Sequence, residues 1–531
     1  MPTDCISYQD SGYFTPLMND YLDQKNHLKS LYNRFPSIEN FAAQIIEKQA
    51  NYTDANRDVL VSVLKKQYKN VAVSELTSEN IEALAMSNTF TVTTGHQLNL
   101  FTGPLYFLYK IISTINLTKE LKETYPDKNF VPIYWMATED HDFDEINYFN
   151  FKGKKFRWNR ESSGPVGRFS TEGLEDVFGV FASELGIGKN AEELKTLFKN
   201  AYLKHDTLAE ATRFLANELF GKYGLVILDA DDKDLKKLFV PYVKEELLHQ
   251  TSQEKVSETS ELLADYKIQV NPREINLFYI EDDLRERIIL EDTAYLINNT
   301  EIKFTEEELL NELENNPEKF SPNVIMRPLY QEVILPNLCY IGGGGELAYW
   351  LELKSYFDVS KITFPVLLLR NSVLLATKKQ ADKADKLGLN WSDLFLKQFD
   401  LKEKIVRRES DFKLDFSEQK QFLQQQFDTL REMASQTDAS FIGAVNAQET
   451  KQIKGLNNLE KRLIKAEKKK HTEELERVTD LQDELFPNQG LQERSGNFSE
   501  FYLANGSELI EELLKILKPL EVNFTIKILK N

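Results

Sequence analysis

Three short polar motifs contain the residues that could do chemistry. The first is the segment Thr94–Gln97, which contains Gly95 and His96 and is followed by Asn99 and Gly103. A histidine beside a glycine can bind a phosphate or a carboxylate, or it can act as an acid or base. It can equally be a turn residue that bonds to the backbone. We predict that the histidine is catalytic and that the residues around it bind substrate or nucleotide: Thr94, Gly95, Gln97, Asn99 and Gly103.

The second motif is acidic and reads Glu139-Asp140-His141-Asp142. Carboxylates near a histidine can bind a metal ion, recognise an amine or orient the imidazole ring. Such a run can also simply cap a helix. Alternating neighbours in sequence are a weak ligand pattern, so we predict no metal site. We predict instead that Asp140, His141 and Asp142 are catalytic.

The third motif is a glycine run that precedes Glu346 and Tyr349 and consists of Gly342, Gly343, Gly344 and Gly345. Consecutive glycines before a helix let a ligand approach the backbone closely. The spacing is neither that of a P-loop nor that of a dinucleotide fingerprint, and a flexible turn is the alternative. We predict that this turn binds substrate or nucleotide. Arg327 and Arg370 are further candidates, because their forked donors suit a carboxylate or phosphate, although either could serve a structural salt bridge.

Five apolar runs predict the strands that must position these motifs: Phe90–Thr94, Phe130–Met136, Tyr223–Asp229, Leu338–Ile341 and Phe364–Leu369. A helix begins near Gly103-Pro104, since proline suits the first helical position. Strand, helix and strand in this order predict a βαβ unit and an α/β fold. Ligands of open α/β sheets bind beyond the carboxyl ends of the strands. All three motifs fall at such ends.

From about residue 375 the composition changes, and Lys, Gln and Glu dominate. Apolar residues recur every three or four positions, which predicts two long helices joined near Ala434–Val445 as an antiparallel, coiled-coil-like hairpin. The predicted organisation has five parts: residues 1–146 with N-terminal helices and the first half of the core, 147–220 as a first insertion, 221–374 as the second half with another insertion around 285–320, 375–490 as the helical coiled-coil domain, and 491–531 returning to the core.

Composition narrows the functional classes. The 531 residues are 41% hydrophobic and carry a formal net charge of −19, which disfavours general nucleic-acid binding because such a surface repels phosphates. Only two cysteines occur, Cys5 and Cys339, so neither a disulfide framework nor a cysteine-based zinc site is expected. The sequence shows no signal peptide and no membrane-spanning run. We therefore expect a cytoplasmic protein with no nucleic-acid partner and no membrane contact.

Further segments accompany the three motifs in chain order: Phe101–Tyr106, Leu228–Asp231, Asn323–Val324 with Arg327–Leu329, Gly345–Trp350, and Leu485–Asn488 with Leu491–Arg494. Together they resemble the BshC family, the cysteine-adding enzymes of bacillithiol biosynthesis, and the matches cover nearly the whole chain. The resemblance implies a Rossmann-like core similar to class I aminoacyl-tRNA synthetases, with connective-peptide-like insertions. It also implies a homodimer formed through the coiled coil.

The activity implied by the resemblance is a carbon–nitrogen ligase. It would join the carboxyl group of cysteine to the amine of glucosaminyl malate and give bacillithiol, the last step in making a low-molecular-weight thiol. Thr94–Gln97 would take the place of the synthetases' first nucleotide-binding signature, with one histidine where that signature has two. Arg370-Asn371-Ser372 stands where a lysine-rich second signature would follow. The cofactor stays unknown, with ATP or ADP as candidates.

Two other functions remain open on the residues alone. One is a synthetase-like, nucleotide-dependent ligase or nucleotidyltransferase that acts on another amino acid. The other is a coiled-coil scaffold whose core has lost catalysis. Polar residues concentrated at several strand ends favour an enzyme, because a scaffold would not need them there.

Overall fold

The computed structural model describes residues 4–437 and 439–529. The chain divides into two compact units. The larger contains Met1–Gln9, Tyr13–Leu375 and Gln492–Asn531, and the smaller contains Asp10–Gly12 and Ala376–Leu491. Within the described part of the chain, no helix is both long enough and apolar enough to cross a membrane.

A parallel five-stranded sheet forms the centre of the larger unit. Across the sheet its strands are Val366–Leu369, Asn337–Gly342, Thr89–His96, Asn129–Met136 and Val226–Asp229. All neighbouring strands are parallel. In chain order the arrangement is fifth, fourth, first, second, third, which is a doubly wound order. The predicted Rossmann-like core is therefore confirmed.

The strand order reverses between Thr89–His96 and Asn337–Gly342. We call the carboxyl ends of these two strands the switch point, because a ligand crevice opens there in doubly wound sheets. Every residue of both strands is buried, as expected for a parallel sheet covered on both faces. The buried threonines of the first strand bond to the fourth: the Thr93 hydroxyl donates to Oδ1 of Asn337 over 2.8 Å, and the Thr94 hydroxyl donates to the Ile341 carbonyl over 2.7 Å.

Helices precede, connect and follow the strands of the larger unit. The helix Tyr106–Thr124 joins the first strand to the second and begins close to the predicted proline. Every residue from Phe107 to Thr118 is buried, so this part of the helix is covered on all sides. The remaining helices are Tyr8–Ser11, Pro16–Leu22, Asn40–Asn51, Asp54–Gln67, Glu75–Ala83, Phe143–Ile146, Leu174–Leu185, Lys189–Tyr202, Leu208–Phe220, Lys233–His249, Thr251–Leu262, Glu306–Asn315, Met326–Ile334, Gly344–Leu351, Lys354–Ser360, Gln492–Ser495, Phe498–Asn505 and Glu508–Ile516.

Three further sheets have two, five and three strands. Directly after Glu145 a hairpin pairs Tyr148–Phe151 with Lys154–Arg157. An antiparallel sheet is built from Lys303–Phe304, Ala294–Ile297, Leu284–Glu291, Leu277–Glu281 and Phe320–Pro322, in that order. The third sheet consists of Asp4–Ser7, Asn523–Leu529 and Ser372–Thr377.

The strand Asp4–Ser7 was not predicted, since the chain start was expected to be mostly helical. It pairs antiparallel with the final strand, Asn523–Leu529. Four residues are too few to show a period of two. The pairing comes from a segment more than 500 positions away, so local sequence carried no signal for it.

The smaller unit is helical. Its helices are Lys378–Lys386, Trp391–Leu394, Gln398–Glu409, Ser417–Ala434, Ala439–Lys470 and Thr472–Leu485. Ser417–Ala434 and Ala439–Lys470 form the predicted antiparallel hairpin. Their ion pairs, Lys420–Glu460 and Arg431–Glu449, show this because the partner position falls along the second helix as the position on the first rises. The second long helix was expected to run unbroken, but the chain leaves the α-helix at His471.

A buried ion pair in the larger unit gives a test of the packing. Lys48 bonds to Glu332 at 3.3 Å, and both side chains are almost fully buried. Replacing the lysine alone leaves an unpaired buried carboxylate, so Lys48→Met should lower the free energy of unfolding by about 3–5 kcal/mol. The matched control is Lys65→Met at the exposed Lys65–Glu82 pair, with an expected cost below about 1 kcal/mol. Urea denaturation compares them, and equal losses would contradict the packing described.

Candidate active site

An ion pair between a buried lysine and a half-buried glutamate lies at the switch point. Lys110, on the helix that follows the first strand, bonds Oε2 of Glu346 at 2.6 Å and donates to the Gly95 carbonyl over 2.7 Å. The other oxygen of Glu346 accepts from the Tyr340 hydroxyl over 2.8 Å. Burial pushes the pKa of Glu346 upward, but Lys110 and these hydrogen bonds outweigh it and hold that pKa below its ordinary value. Glu346 is therefore charged at neutral pH. Burial lowers the pKa of Lys110, and the Glu346 carboxylate opposes that shift.

His96 ends the first strand and is buried. Its ring lies against the rings of Tyr106 and Phe107, with centroids 5.4 and 5.0 Å apart. Burial, and then the charge of Lys110, lower the pKa of this histidine well below its ordinary value, so the ring is neutral. Among the described residues, its Nε2 has no hydrogen-bond partner. A neutral imidazole with a free nitrogen can take part in proton transfer.

The glycine turn already binds a carboxylate of the protein itself, that of Glu346. The Gly343 N–H donates to Oε2 of Glu346 over 2.8 Å, which closes a capping box at the helix start. A Cβ on Gly342 would lie 3.0–3.2 Å from three side chains, whereas a Cβ on Gly345 would meet nothing within 4 Å. Gly344 packs against Met18. The predicted close approach therefore applies to protein side chains at Gly342 and leaves open space only at Gly345.

Two arginines flank the switch point in different ways. Arg327 is half-buried and donates to the Tyr349 hydroxyl over 3.2 Å, which joins two predicted binding residues. Arg370 is buried in an ion pair with Glu493 at 2.7 Å. Its guanidinium also lies 5.0 Å from the ring centre of Tyr106. Arg370 thus has the structural salt bridge that the sequence left open as an alternative.

The acidic loop is tied to the first motif by Gln97. The Gln97 amide donates to Asp140 and to Glu145, each over 2.9 Å. His141 and Asp142 are exposed, and Arg285 donates to Nδ1 of His141 over 2.5 Å. The structure therefore brings Asp140 together with the first motif. It places His141 and Asp142 toward solvent, beside the second insertion.

A cavity of about 300 Å³ opens beside the first motif. Three predicted binding residues, Gln97, Asn99 and Gly103, line it. The remaining lining residues are Pro104, Tyr106, Glu145, Tyr148, Phe149, Asn150, Arg494 and Ser495. The loop before it is unusual, because Phe101, Thr102 and Gly103 all have positive φ angles. The Asn497 amide holds this backbone by donating to the carbonyls of Phe101 and Gly103.

The C-terminal segment of the chain contacts the start of the helix Tyr106–Thr124. The backbone N–H of Leu105 donates to the Gly496 carbonyl over 2.8 Å. The C-terminal segment therefore satisfies one of the free N–H groups that make a helix start attractive to anions.

Sequence reasoning missed several residues that line these sites. Lys110 and Tyr106 lie within an apolar helix, where nothing but helical spacing could have marked them as facing the switch point. Glu493 and Arg494 belong to a motif that was noted only for its resemblance. Tyr340 stands in a strand that was read as buried core. The chain returns from nearly 400 positions away to place Arg494 at the cavity, and local patterns carry no such information.

Cys339, on the fourth strand, is not a reactive group of this site. Cys339 is fully buried, and burial raises the pKa of its thiol well above the ordinary value, so it is a core residue. In residues 4–437 and 439–529, no group of three or more His, Cys, Asp or Glu side chains is arranged to hold a metal ion.

A second acidic cluster follows the third strand. The Thr138 hydroxyl donates to Oδ1 of Asp229 over 2.5 Å, and Arg168 pairs with Asp231 at 2.9 Å. Burial, and then the charge of Asp231, raise the pKa of Asp229 to about 6. Nearby, Glu139 forms a buried ion pair with Lys236. This carboxylate therefore serves the structure and does not reach the acidic loop's exposed end.

Nearly the whole chain is similar to known proteins. The family model described as "Bacillithiol biosynthesis BshC, N-terminal Rossmann-like domain" matches residues 1–371, and the model of the "C-terminal coiled-coil domain" of the same family matches residues 373–529. A protein of Flavobacterium johnsoniae is 67% identical over 99% of both chains, and one of Bacillus cereus is 29% identical over 93% of this chain and 95% of its own. Both carry the name "Putative cysteine ligase BshC".

A solved structure of Mycobacterium tuberculosis methionyl-tRNA synthetase covers 80% of this chain and 91% of its own, at 11% identity. Its TM-score is 0.22, and a value this low supports no structural conclusion. The fold class rests on the sheet order and on the two family models.

The raised pKa of Asp229 predicts a pH-dependent gain in stability on its removal. The unfolded carboxyl ionises near pH 3.8 and the folded one at about pH 6, so the folded state is penalised as pH rises between these values and stays penalised above them. Asp229→Asn keeps the acceptor oxygen. It should raise the free energy of unfolding at pH 7.5 by up to about 3 kcal/mol, with the gain disappearing below pH 4.

Melting temperatures of the two proteins between pH 3.5 and 8 test this expectation. Asp58→Asn is the control, because Asp58 is exposed and should give the same difference at every pH. A stability difference for Asp229→Asn that does not change with pH would show that burial does not perturb this carboxyl.

Proposed function

This chain belongs to the BshC family of bacillithiol biosynthesis, and we propose that it is a ligase that joins the carboxyl group of L-cysteine to the amine of glucosaminyl malate, giving bacillithiol. The family match supports the cysteine ligase activity. The identity of the amine substrate and the roles of the residues below are our proposal.

The reaction sets two demands on the protein. In the net reaction a C–N bond forms and a C–O bond of the cysteine carboxyl breaks. The oxygen leaves as water, which takes up the two protons that the substrate ammonium loses. The protein must therefore hold the amine close to the carboxyl carbon and provide a group that accepts a proton. It must also keep water from competing with the amine.

One observation carries the proposal: the cavity and the switch point share Tyr106. This side chain lines the cavity, and its ring contacts both His96 and the guanidinium of Arg370. A substrate in the cavity would have its reacting end beside the buried groups of the switch point. Two substrates that must meet need two adjoining subsites of this kind.

We assign to His96 a transient role in proton transfer: it accepts the proton that the amine loses as the C–N bond forms and passes it on, because burial beside Lys110 makes a lasting positive charge costly. It is buried, neutral and has a ring nitrogen left unbonded by any residue that the structure describes. Because its pKa is lowered, it stays in the basic form as pH falls toward 6.5. Asp140 and Glu145, joined through Gln97, form the acidic wall that would attract the substrate ammonium. His141 and Asp142 follow Asp140 but are exposed to solvent, and we assign them no part in the reaction.

The glycine turn does not fit a nucleotide phosphate. The Gly343 N–H and the Lys110 ammonium, the donors that a phosphate would use, both bond the Glu346 carboxylate. A phosphate placed there would meet a like charge. No step is therefore derived through ATP or ADP, and the turn is better suited to hydroxyl or ammonium groups.

We also propose that the protein works as a homodimer through its helical unit. Large apolar side chains are exposed on the long helices of that unit: Phe422, Met433, Phe441 and Leu459. The Lys420–Glu460 ion pair sets Phe422 level with Leu459 on the hairpin. An apolar surface of this kind is typical of an interface between chains.

Substitution of His96 tests the proposed chemistry. His96→Ala should lower kcat for cysteine addition by about 10²–10⁴-fold while the protein stays folded. Asp140→Asn should weaken binding of the amine substrate. His205→Ala is the control, because His205 is half-buried in the first insertion and its ring bonds backbone carbonyls of the preceding helix, Lys189–Tyr202. Wild-type turnover in His96→Ala together with wild-type binding of the amine substrate by Asp140→Asn would overturn the assignment.

The double variant Phe422→Glu with Leu459→Glu tests the homodimer. Charges on the exposed apolar surface should convert a dimer into a monomer, because each would be buried without a partner. Sedimentation equilibrium gives the mass of each protein. Glu substitutions at the exposed positions Lys451 and Lys454 of the same helix provide the control. A monomeric wild type, or a double variant that stays dimeric, would refute this interface.

A further inference from the structure

The cavity beside the first motif contains an arginine without a counter-ion. Arg494 lines it, and in the part of the chain that the structure describes no carboxylate lies within ion-pair distance of its guanidinium. Neighbouring arginines are paired instead: Arg370 with Glu493 and Arg157 with Asp144. An arginine left unpaired in a cavity is suited to bind the carboxylate of a ligand, since its fork matches that group.

Two buried polar groups of the same cavity also lack partners. Asn99 is 8% exposed, its amide nitrogen donates to the Glu145 carbonyl, and its Oδ1 accepts no hydrogen bond from any described residue. The Ser495 hydroxyl is likewise buried and unsatisfied within the described chain. Buried polar atoms are normally bonded, and each exception calls for a partner such as a ligand. The Asn99 oxygen needs a donor, as a sugar hydroxyl supplies.

The backbone holds Arg494 firmly in place. The residue before it, Glu493, is buried and accepts hydrogen bonds from Arg370, from the Ser372 hydroxyl and from the backbone of Val373. The residue after it offers its carbonyl to the Asn150 amide. Arg494 is itself exposed, so these bonds fix the position of its backbone beside the cavity, and binding of a ligand carboxylate would order its side chain.

The cavity also carries the opposite charge. Glu145 lines it and accepts a hydrogen bond from the neutral Gln97 amide. A ligand with a carboxylate, an ammonium and hydroxyl groups would therefore find a partner for each. The volume of about 300 Å³ lies at the lower end of the range for small-molecule sites. It suits one ligand of modest size.

We propose that this cavity is the subsite of an amino-sugar acid, in which Arg494 binds the carboxylate end and determines specificity, while Asn99 accepts from a sugar hydroxyl and Glu145 attracts the ammonium. The inference rests on the proposed function, because it takes the acceptor to be glucosaminyl malate. Beyond that function, it gives Arg494 a role and assigns a place to the anionic end of the acceptor.

Calorimetric titration with glucosaminyl malate, without cysteine or nucleotide, measures the subsite directly. Arg494→Gln should weaken binding by about ten- to a hundredfold, as expected for one charged hydrogen-bonded contact. Arg494→Lys should recover part of the loss, because it keeps the charge but not the fork. Arg273→Gln is the matched control, since Arg273 is also exposed and does not line the cavity. It should bind like the wild type.

Methyl glucosaminide is the second probe, because it has the amine and the hydroxyls but no carboxylate. The wild type should bind it at least about tenfold more weakly than glucosaminyl malate, and Arg494→Gln should reduce that preference. Equal binding of glucosaminyl malate by wild type and Arg494→Gln, or equal binding of both probes by the wild type, would overturn the proposal.

Steady-state kinetics separates this inference from the proposed reaction. Arg494→Gln should raise KM for glucosaminyl malate, with kcat and KM for cysteine nearly unchanged. Binding that depends on Arg494 without any cysteine adduct would support the subsite and overturn the reaction. Turnover by the wild type with no effect of Arg494→Gln would support the reaction and overturn the subsite.

Discussion

The ion pair between the buried Lys110 and the half-buried Glu346 is the interaction on which the switch point depends. It joins the helix after the first strand to the helix after the fourth strand, with one hydrogen bond to the Gly95 carbonyl and another from the Gly343 N–H. Burying two charges is expensive unless they are paired and their remaining bonding groups are satisfied. Here both conditions hold. The pair therefore fixes the spacing of two strand ends and also decides what the crevice can accept.

That constraint explains why the glycine turn differs from a phosphate loop. In phosphate-binding turns the free N–H groups point at the ligand. In this protein a glutamate of the same helix supplies the anion permanently, so the positive end of the helix is already neutralised. The neutral His96 fits this arrangement, because the nearby Lys110 charge and the lack of water make a second cation costly.

The C-terminal segment completes what the sheet begins. Glu493 pairs with Arg370 beyond the last core strand, Asn497 holds the carbonyls of the strained loop, and Gly496 takes the first N–H of the helix. Arg494 lies in the middle of these contacts. A loop with three consecutive positive φ angles is retained only where its surroundings over-determine it, and these bonds provide that restraint. The cavity thus has one wall from the core and one from the end of the chain.

Much of the architecture could be read from local sequence. The five core strands, the hairpin after Glu145 and the long helices show in apolar runs and spacing, because each element buries one face or both against the core. The three motifs were correctly placed at strand ends, since a parallel sheet collects those ends on one edge. Thr94, the glycine run and the acidic loop are all found there.

What the motifs do could not be read in the same way. In the sequence, Glu346 is a residue that follows four glycines, whereas in the fold it forms an ion pair with Lys110. The sequence offered Arg370 as an anion binder, whereas the fold pairs that residue with Glu493. It gave no reason to connect Arg494 with His96. Residue types and local periods determined the elements and the edge of the sheet where chemistry belongs. Only the tertiary structure decided which charges are neutralised and which stay free, because ion pairs and cavities form between segments far apart in the chain, and burial sets the cost of leaving any of them unpaired.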